Sequence, residues 1–215
     1  MAKIDEVYEY LIGIYKPDEP IFLSEVSIPD MDAAVMRQQF KKLTLDGRLK
    51  RFDTGIYFMP RKSIFRSGST LSLDDVIRKK YLMNGTECCG YMSGMWFANQ
   101  LGLTTQVAAV YEIYTNKATK DYRETSVANI KVILRKPYVK VDEQNVSVLQ
   151  FLDLLKEVTA VSELEGEELT LALVRYMKKK EIKFEAIRQF LPYYPERIYK
   201  NMYEAGLLDG ISEIK

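Results

Sequence analysis

From Asp30 to Pro60 a helical hydrophobic period gives way to two short runs around a turn, with a single glycine between the helix and the first run. Met31, Val35, Met36, Phe40 and Leu43 recur at helical spacing. Asp30 is placed to cap the start of that helix through its side-chain oxygen, and Gly47 stands just past the end, where a left-handed residue stops a helix. Leu49-Lys50-Arg51-Phe52, a turn at Asp53-Thr54-Gly55, and Ile56-Tyr57-Phe58 closed by Pro60 then predict a β-hairpin. Ahead of this, Ile4, Val7, Tyr8, Leu11 and Ile12 mark a helix over Lys3 to Tyr15 that ends at Lys16-Pro17-Asp18. Pro20 to Leu23 reads as a short extended piece, and Ser24 as the cap of a brief helix broken at Ile28-Pro29.

Three helices followed by a hairpin is the order of a winged helix-turn-helix, so residues 1–62 are expected to form one. Arg61 to Thr70 mixes Ser, Gly and Arg and reads as a linker. Residues 70–160 predict a mixed α+β domain. Ser72-Leu73-Asp74-Asp75 resembles a capping box opening a helix through Leu82, and Tyr91 to Leu101 reads as a second helix ended by Gly102. Val107 to Thr115 is apolar on both faces apart from Glu112 and predicts a central strand, while Ile130, Val132 and Leu134 alternate as a half-buried one. From Val148 the pattern turns helical, and residues 163–215 are expected to be a helical C-terminal segment interrupted at Pro192 and Pro195. The fold class is therefore α+β, with a helical tail.

Several chemistries are hard to build here. Histidine is absent, which removes the commonest general base and the commonest metal ligand. Phosphate-cradling GxxxxGK[ST] and dinucleotide GxGxxG patterns are missing too. The only cysteines, Cys88 and Cys89, are adjacent, a poor geometry for bridging each other, and read as buried or idle thiols. A protein without catalytic residues, cofactor or metal is expected. No apolar run approaches the ~18 residues a bilayer span needs, and the acidic start MAKIDEVYEY is unlike a secretion signal, so the expected location is the cytoplasm, with no membrane partner.

The net charge of +1 hides an uneven distribution. Between Met36 and Arg66 stand Arg37, Lys41, Lys42, Arg48, Lys50, Arg51, Arg61, Lys62 and Arg66 against only Asp46 and Asp53. Arg37, Gln38, Lys41, Lys42 and Thr44 lie between the apolar positions of the longer helix, where such side chains donate to phosphates or, for Arg and Gln, pair with purine edges in a major groove. Lys50 and Arg51 on the hairpin suit the adjacent backbone or minor groove. A basic helix face alone is ordinarily a solvated face. Its coincidence with the helix order, the Gly47 stop and the basic hairpin points instead to double-stranded DNA.

TGIYFMP (Thr54 to Pro60), LSLDDVIRKKYL (Leu71 to Leu82), GYMSGMWFANQLGLTTQV (Gly90 to Val107), EIYTN (Glu112 to Asn116) and ILRKP (Ile133 to Pro137) resemble segments of the AbiEi-type antitoxins of type IV toxin–antitoxin and phage abortive-infection systems. The resemblance covers roughly residues 1–160, with Gly90 to Val107 its most specific part. It implies an N-terminal winged helix that represses its own operon at an inverted-repeat operator, where bound copies associate. It also implies a second domain that neutralises a co-encoded nucleotidyltransferase-like toxin, and it supplies no catalytic residues.

In the second domain Arg78, Lys79, Lys80, Arg135 and Lys136 are candidates for a basic face toward a toxin or DNA, with a solvated surface as the alternative. Tyr91, Ser93, Trp96 and Asn99 are candidates for partner contact, although Trp96 also suits a core, and Arg123 and Glu124 remain ambiguous. Two other readings stay open. One is an interaction adaptor whose winged helix mediates dimerisation without DNA contact. The other is a nuclease-like second domain holding a divalent metal on Glu87, Glu112 or Asp121.

Overall fold

Val7 and Leu11, one helical turn apart, are fully buried on α1 (Lys3–Ile14), which ends three residues before Pro17. A short β1 (Ile21–Phe22) leads into a single 3-10 turn over Leu23–Glu25. Ser24 lies inside that turn rather than capping it, and Phe22 occupies the cap position without a side-chain bond. α2 (Ala33–Leu45) is capped by Asp32, whose Oδ1 accepts from the amides of Ala34 at 2.8 Å and Val35 at 2.7 Å. The expected cap, Asp30, is two residues early: at φ 60 it is still part of the preceding turn. Gly47, at φ 79, ends the helix as expected, and Leu49 then donates its amide to the Leu43 carbonyl.

β2 (Lys50–Asp53) and β3 (Ile56–Phe58) form the predicted hairpin, and β1 adds to its other side to give the antiparallel order β1-β3-β2. Met36, Phe40 and Leu43 of α2 pack with Val7, Leu11, Ile21 and Leu49, and Phe40 meets the Tyr57 ring edge-on at 5.0 Å. The computed structural model describes residues 3–61 and 68–210, and two compact units divide the chain at Met1–Lys79 and Lys80–Lys215. The first unit thus runs past the expected boundary near residues 62–70. Leu71, Val76 and Ile77 are buried around α3 (Leu73–Ile77), and Lys79 Nζ binds Glu19 at 3.0 Å and the Pro20 carbonyl at 2.8 Å. Ser72 precedes α3 without a side-chain cap, and a π-helical turn over Arg78–Leu82 replaces the last part of the expected helix.

The second unit begins with a small hairpin, β4 (Met83–Asn84) and β5 (Glu87–Cys88). β6 (Gly90–Ser93) follows as a strand where a helix was expected, since it pairs residue by residue with β7 (Val110–Thr115) from Gly90–Thr115 to Ser93–Glu112. Gly94, at φ 62, then turns the chain into the shorter α4 (Gly94–Gln100). At Gly90 an added Cβ would stand 2.6 Å from the Tyr114 carbonyl oxygen and 2.9 Å from that of Tyr81, so the strand's first position admits only glycine. β7 starts later than expected, and Val107 is 88% exposed.

β8 (Tyr122–Val127) and β9 (Ile130–Arg135) are joined by Ala128 and Asn129, both left-handed, which is the type I′ geometry that matches strand twist. The sheet order is β6-β7-β9-β8, with β7 and β9 parallel and interior. α5 (Val146–Leu155), α6 (Val158–Val161), α7 (Gly166–Lys179), α8 (Phe184–Phe190), a 3-10 turn at Leu191–Tyr193, α9 (Arg197–Glu204) and α10 (Leu207–Gly210) complete the unit. Leu173, Ile187, Ile198 and Met202 share one core with Phe97, Leu149, Phe151 and Leu152. Residues 163–210 are thus mainly helical, as expected, and part of this unit rather than a segment apart; 211–215 lie outside the described residues. The fold is mixed α+β.

Candidate nucleic-acid interface

α2 separates its two faces cleanly. Met36, Gln39, Phe40 and Leu43 are buried, and Arg37, Gln38, Lys41 and Lys42 are exposed on the opposite side. Their spacing of three and four residues continues to Ala34 and to Leu45, which is 79% exposed, so one stripe runs the length of the helix. Among the described residues, no side chain of Arg37, Gln38, Lys41 or Lys42 is engaged in a hydrogen bond or ion pair. Thr44 differs. It is half-buried, and its hydroxyl donates to the Phe40 carbonyl at 2.8 Å, leaving it only as an acceptor.

The hairpin cations are less free than the sequence implies. Arg51 is exposed, yet its guanidinium donates to the Asp53 carbonyl at 3.2 Å and to Thr54 Oγ1 at 3.0 Å, bracing the turn. Lys50 is half-buried and donates to the Ser69 carbonyl at 3.2 Å. Arg48 binds Asp46 at 2.7 Å and Asp5 at 3.0 Å beneath the Tyr8 ring, and the hydrogen bond from Arg48 holds the Asp46 carboxyl below its usual range. Arg61 pairs with Asp18. Arg48 and Arg61 are thus paired with acids and Lys50 and Arg51 are held by neutral acceptors, so the uncommitted cations among the described ones concentrate on α2. Lys62 and Arg66 lie outside the described residues.

Of the five cations expected in the second domain, Arg78 and Lys79 fall in the first unit, and the five do not behave alike. Lys79 is tied to Glu19 and Pro20, 4.6 Å from the centre of the Tyr15 ring. Lys80 is half-buried over the Tyr81 ring. Burial works against the charge of Arg135, but Glu112 hydrogen-bonds it and raises its pKa, with the Tyr122 ring alongside. Only Arg78 and Lys136 of the five are exposed. Tyr91 and Ser93 are buried in β6, and Asn99 Nδ2 donates to the carbonyls of Thr104 and Gln106. Glu124 pairs with Lys131 and Tyr122, and Arg123 is exposed. Among the described residues no group of three cysteine or carboxylate side chains is placed to hold a metal, and Glu112 is taken up by Arg135.

One polar centre escapes the sequence reading. Asp153 and Lys156 of α5 and the turn after it are 0% and 4% exposed, and they meet at 2.8 Å. Lys156 Nζ also donates to Tyr114 Oη at 2.5 Å, within 5.4 Å of the Tyr138 ring centre. Tyr91 donates to Asp153 Oδ2, and Tyr194 bonds the same oxygen at 3.4 Å and the Leu149 carbonyl at 3.3 Å. Burial raises the Asp153 carboxyl above its usual range, although Lys156 pulls it down, and burial also pushes the hydroxyls of Tyr91, Tyr114 and Tyr194 upward. Among the described residues no buried side-chain nitrogen or oxygen lacks a partner. A centre so saturated holds the fold rather than a ligand. Its trace in the sequence is Asp153 and Lys156, which with Glu157 interrupt the largely apolar stretch Val146 to Val158.

No described helix is long and apolar enough to cross a membrane. Compared with protein-family models, curated proteins and solved structures, the chain matches none.

Proposed function

We propose that the chain is a non-catalytic, DNA-binding transcriptional regulator whose first unit is a winged helix-turn-helix and whose second unit serves as an antitoxin domain. The observation that carries the DNA reading is the α2 stripe, in which Arg37, Gln38, Lys41 and Lys42 stand exposed and uncommitted opposite the buried face of Met36, Phe40 and Leu43. A helix read by DNA needs donors held out from a rigid core, two of them able to pair bidentately with purine edges. The order helix, short strand, turn, helix, hairpin and the strand arrangement β1-β3-β2 support the winged-helix assignment. Lys50 and Arg51 take a secondary role in it, since both already brace the hairpin and its flank.

The antitoxin half rests on the resemblance of Gly90 to Val107 and the neighbouring segments to the AbiEi-type family. It implies autorepression at an inverted repeat and neutralisation of a nucleotidyltransferase-like toxin in the cytoplasm. Charge reversal at Arg37 and Lys41 tests the DNA half: binding to the DNA upstream of the gene disappears if α2 is the reader and is unchanged if the unit is an adaptor for protein partners. Co-expression with the neighbouring gene product tests the other half, since an antitoxin relieves growth arrest and an unrelated regulator does not.

A further inference from the structure

We infer that a groove between α4 and α7 of the second unit docks an acidic segment of another protein that carries an apolar anchor between its carboxylates. The groove encloses about 420 Å³, at the lower end of the ligand-pocket range of about 300–1,000 Å³, which is room for one or two side chains. Its walls are Trp96 and Leu101 on one side and Ala172 on the other, all half-buried, above the buried rings of Phe97 and Tyr176 that meet edge-on at 5.4 Å.

Every charged residue lining the groove is a cation. Arg175 and Lys179 are one helical turn apart on α7, and Lys180 follows; all three are exposed and none is in an ion pair among the described residues. Three cations without an acid, in a chain whose net charge is only +1, make a local field that favours carboxylates or phosphates. The floor decides between them. Tyr176 donates to Gln150 Oε1 at 3.2 Å, and Gln150 Nε2 donates to the Met92 carbonyl at 2.8 Å, so these polar groups are spent on each other. A nucleobase would find the Gln100 amide at the rim and little else to read on the floor, whereas an aliphatic or aromatic side chain finds an apolar seat beside a tryptophan. Leu171, 54% exposed one turn before Arg175, extends the apolar surface outward. An amphipathic acidic helix or strand laid along α7 would place its anchor in the groove and its carboxylates over Arg175 and Lys179. The inference does not depend on DNA contact by the first unit or on the identity of a toxin.

Trp96 is the chain's only tryptophan, so its emission reports occupancy of this groove directly. The test titrates the full chain at low salt with a synthetic helical peptide of about eighteen residues bearing leucines along one face and glutamates flanking them. Controls are the same peptide with lysine in place of glutamate and a single-stranded oligothymidylate. The expected result is a saturating shift of Trp96 emission with a Kd of about 10–100 μM. That affinity should be weakened at least about tenfold in Arg175→Glu/Lys179→Glu, with an intermediate loss in Arg175→Gln/Lys179→Gln. No shift up to about 1 mM, equal response to the lysine peptide, or unchanged affinity in the charge-reversed chain would overturn it. So would a shift given by oligothymidylate and not by the acidic peptide, which would assign the groove to nucleic acid.

Discussion

Replacing Lys156 with methionine leaves the Asp153 carboxylate, whose side chain is fully buried, hydrogen-bonded only to neutral hydroxyls and still repelled by Glu112. Breaking a buried ion pair from one side costs ~3–5 kcal/mol, because the remaining charge keeps its desolvation penalty and loses its compensation. For a unit of this size that corresponds to a fall in melting temperature of about 10–15 °C. Asp153→Asn together with Lys156→Met removes both charges and keeps an acceptor for Tyr91 and Tyr194, so the double variant should regain half or more of the loss.

The pH dependence has a definite sign. Burial already holds Asp153 above the usual carboxylate range, and Lys156 is the main group pulling it back. Without Lys156 the folded state takes up a proton that the unfolded chain does not hold near neutrality. The variant therefore gains stability as pH falls through the folded pKa of Asp153, by up to about 1.4 kcal/mol per pH unit, and its deficit is larger at pH 8 than at pH 5. Chemical denaturation monitored by circular dichroism across that range reads both effects. A double variant that loses the full sum of the two single losses, with a deficit independent of pH, would refute the account of this centre.

The α2 cap gives an opposite sign: the amides of Val35 and Ala34 hold Asp32 below its usual range, so Asp32→Ala melts the first unit earlier at pH 7, and the difference closes as acid protonates the carboxyl; thermal melts at two pH values check it. Gly90→Ala drives a Cβ into two backbone carbonyls and should destabilise the second unit by about 1–3 kcal/mol, read by denaturant midpoint, whereas Gly13→Ala, with open space around it, should not. Lys42→Ala should weaken DNA binding on all sequences alike and lower the slope of log affinity against log salt by about one, measured by fluorescence anisotropy.

Elements with strong, local periodicity were legible in the sequence: α1, the hairpin of β2 and β3, α5 and α7 lie close to where the apolar spacing puts them. Others depend on partners far along the chain. Tyr91 to Ser93 fit an amphipathic helix equally well, and only pairing with Ile113 and Tyr114 makes them a strand. The polar, largely exposed β8 carries no hydrophobic alternation, and its turn uses Ala128-Asn129 in place of the usual glycine-containing pair. The α2 stripe was readable because a helix converts spacing into a face. The commitments of Arg48 to Asp5 and of Lys50 to Ser69 were not, since each spans a long stretch of sequence.

Titrating the full chain on the duplex just upstream of its gene and on a scrambled duplex at about 150 mM salt, where nonspecific binding is weak, asks whether the α2 stripe reads specific DNA. If it does, the upstream duplex is bound at least about a thousandfold more tightly than the scrambled one, and Arg37→Ala/Lys41→Ala abolishes the difference. Equal, weak binding of both duplexes, unchanged in that variant, would contradict it.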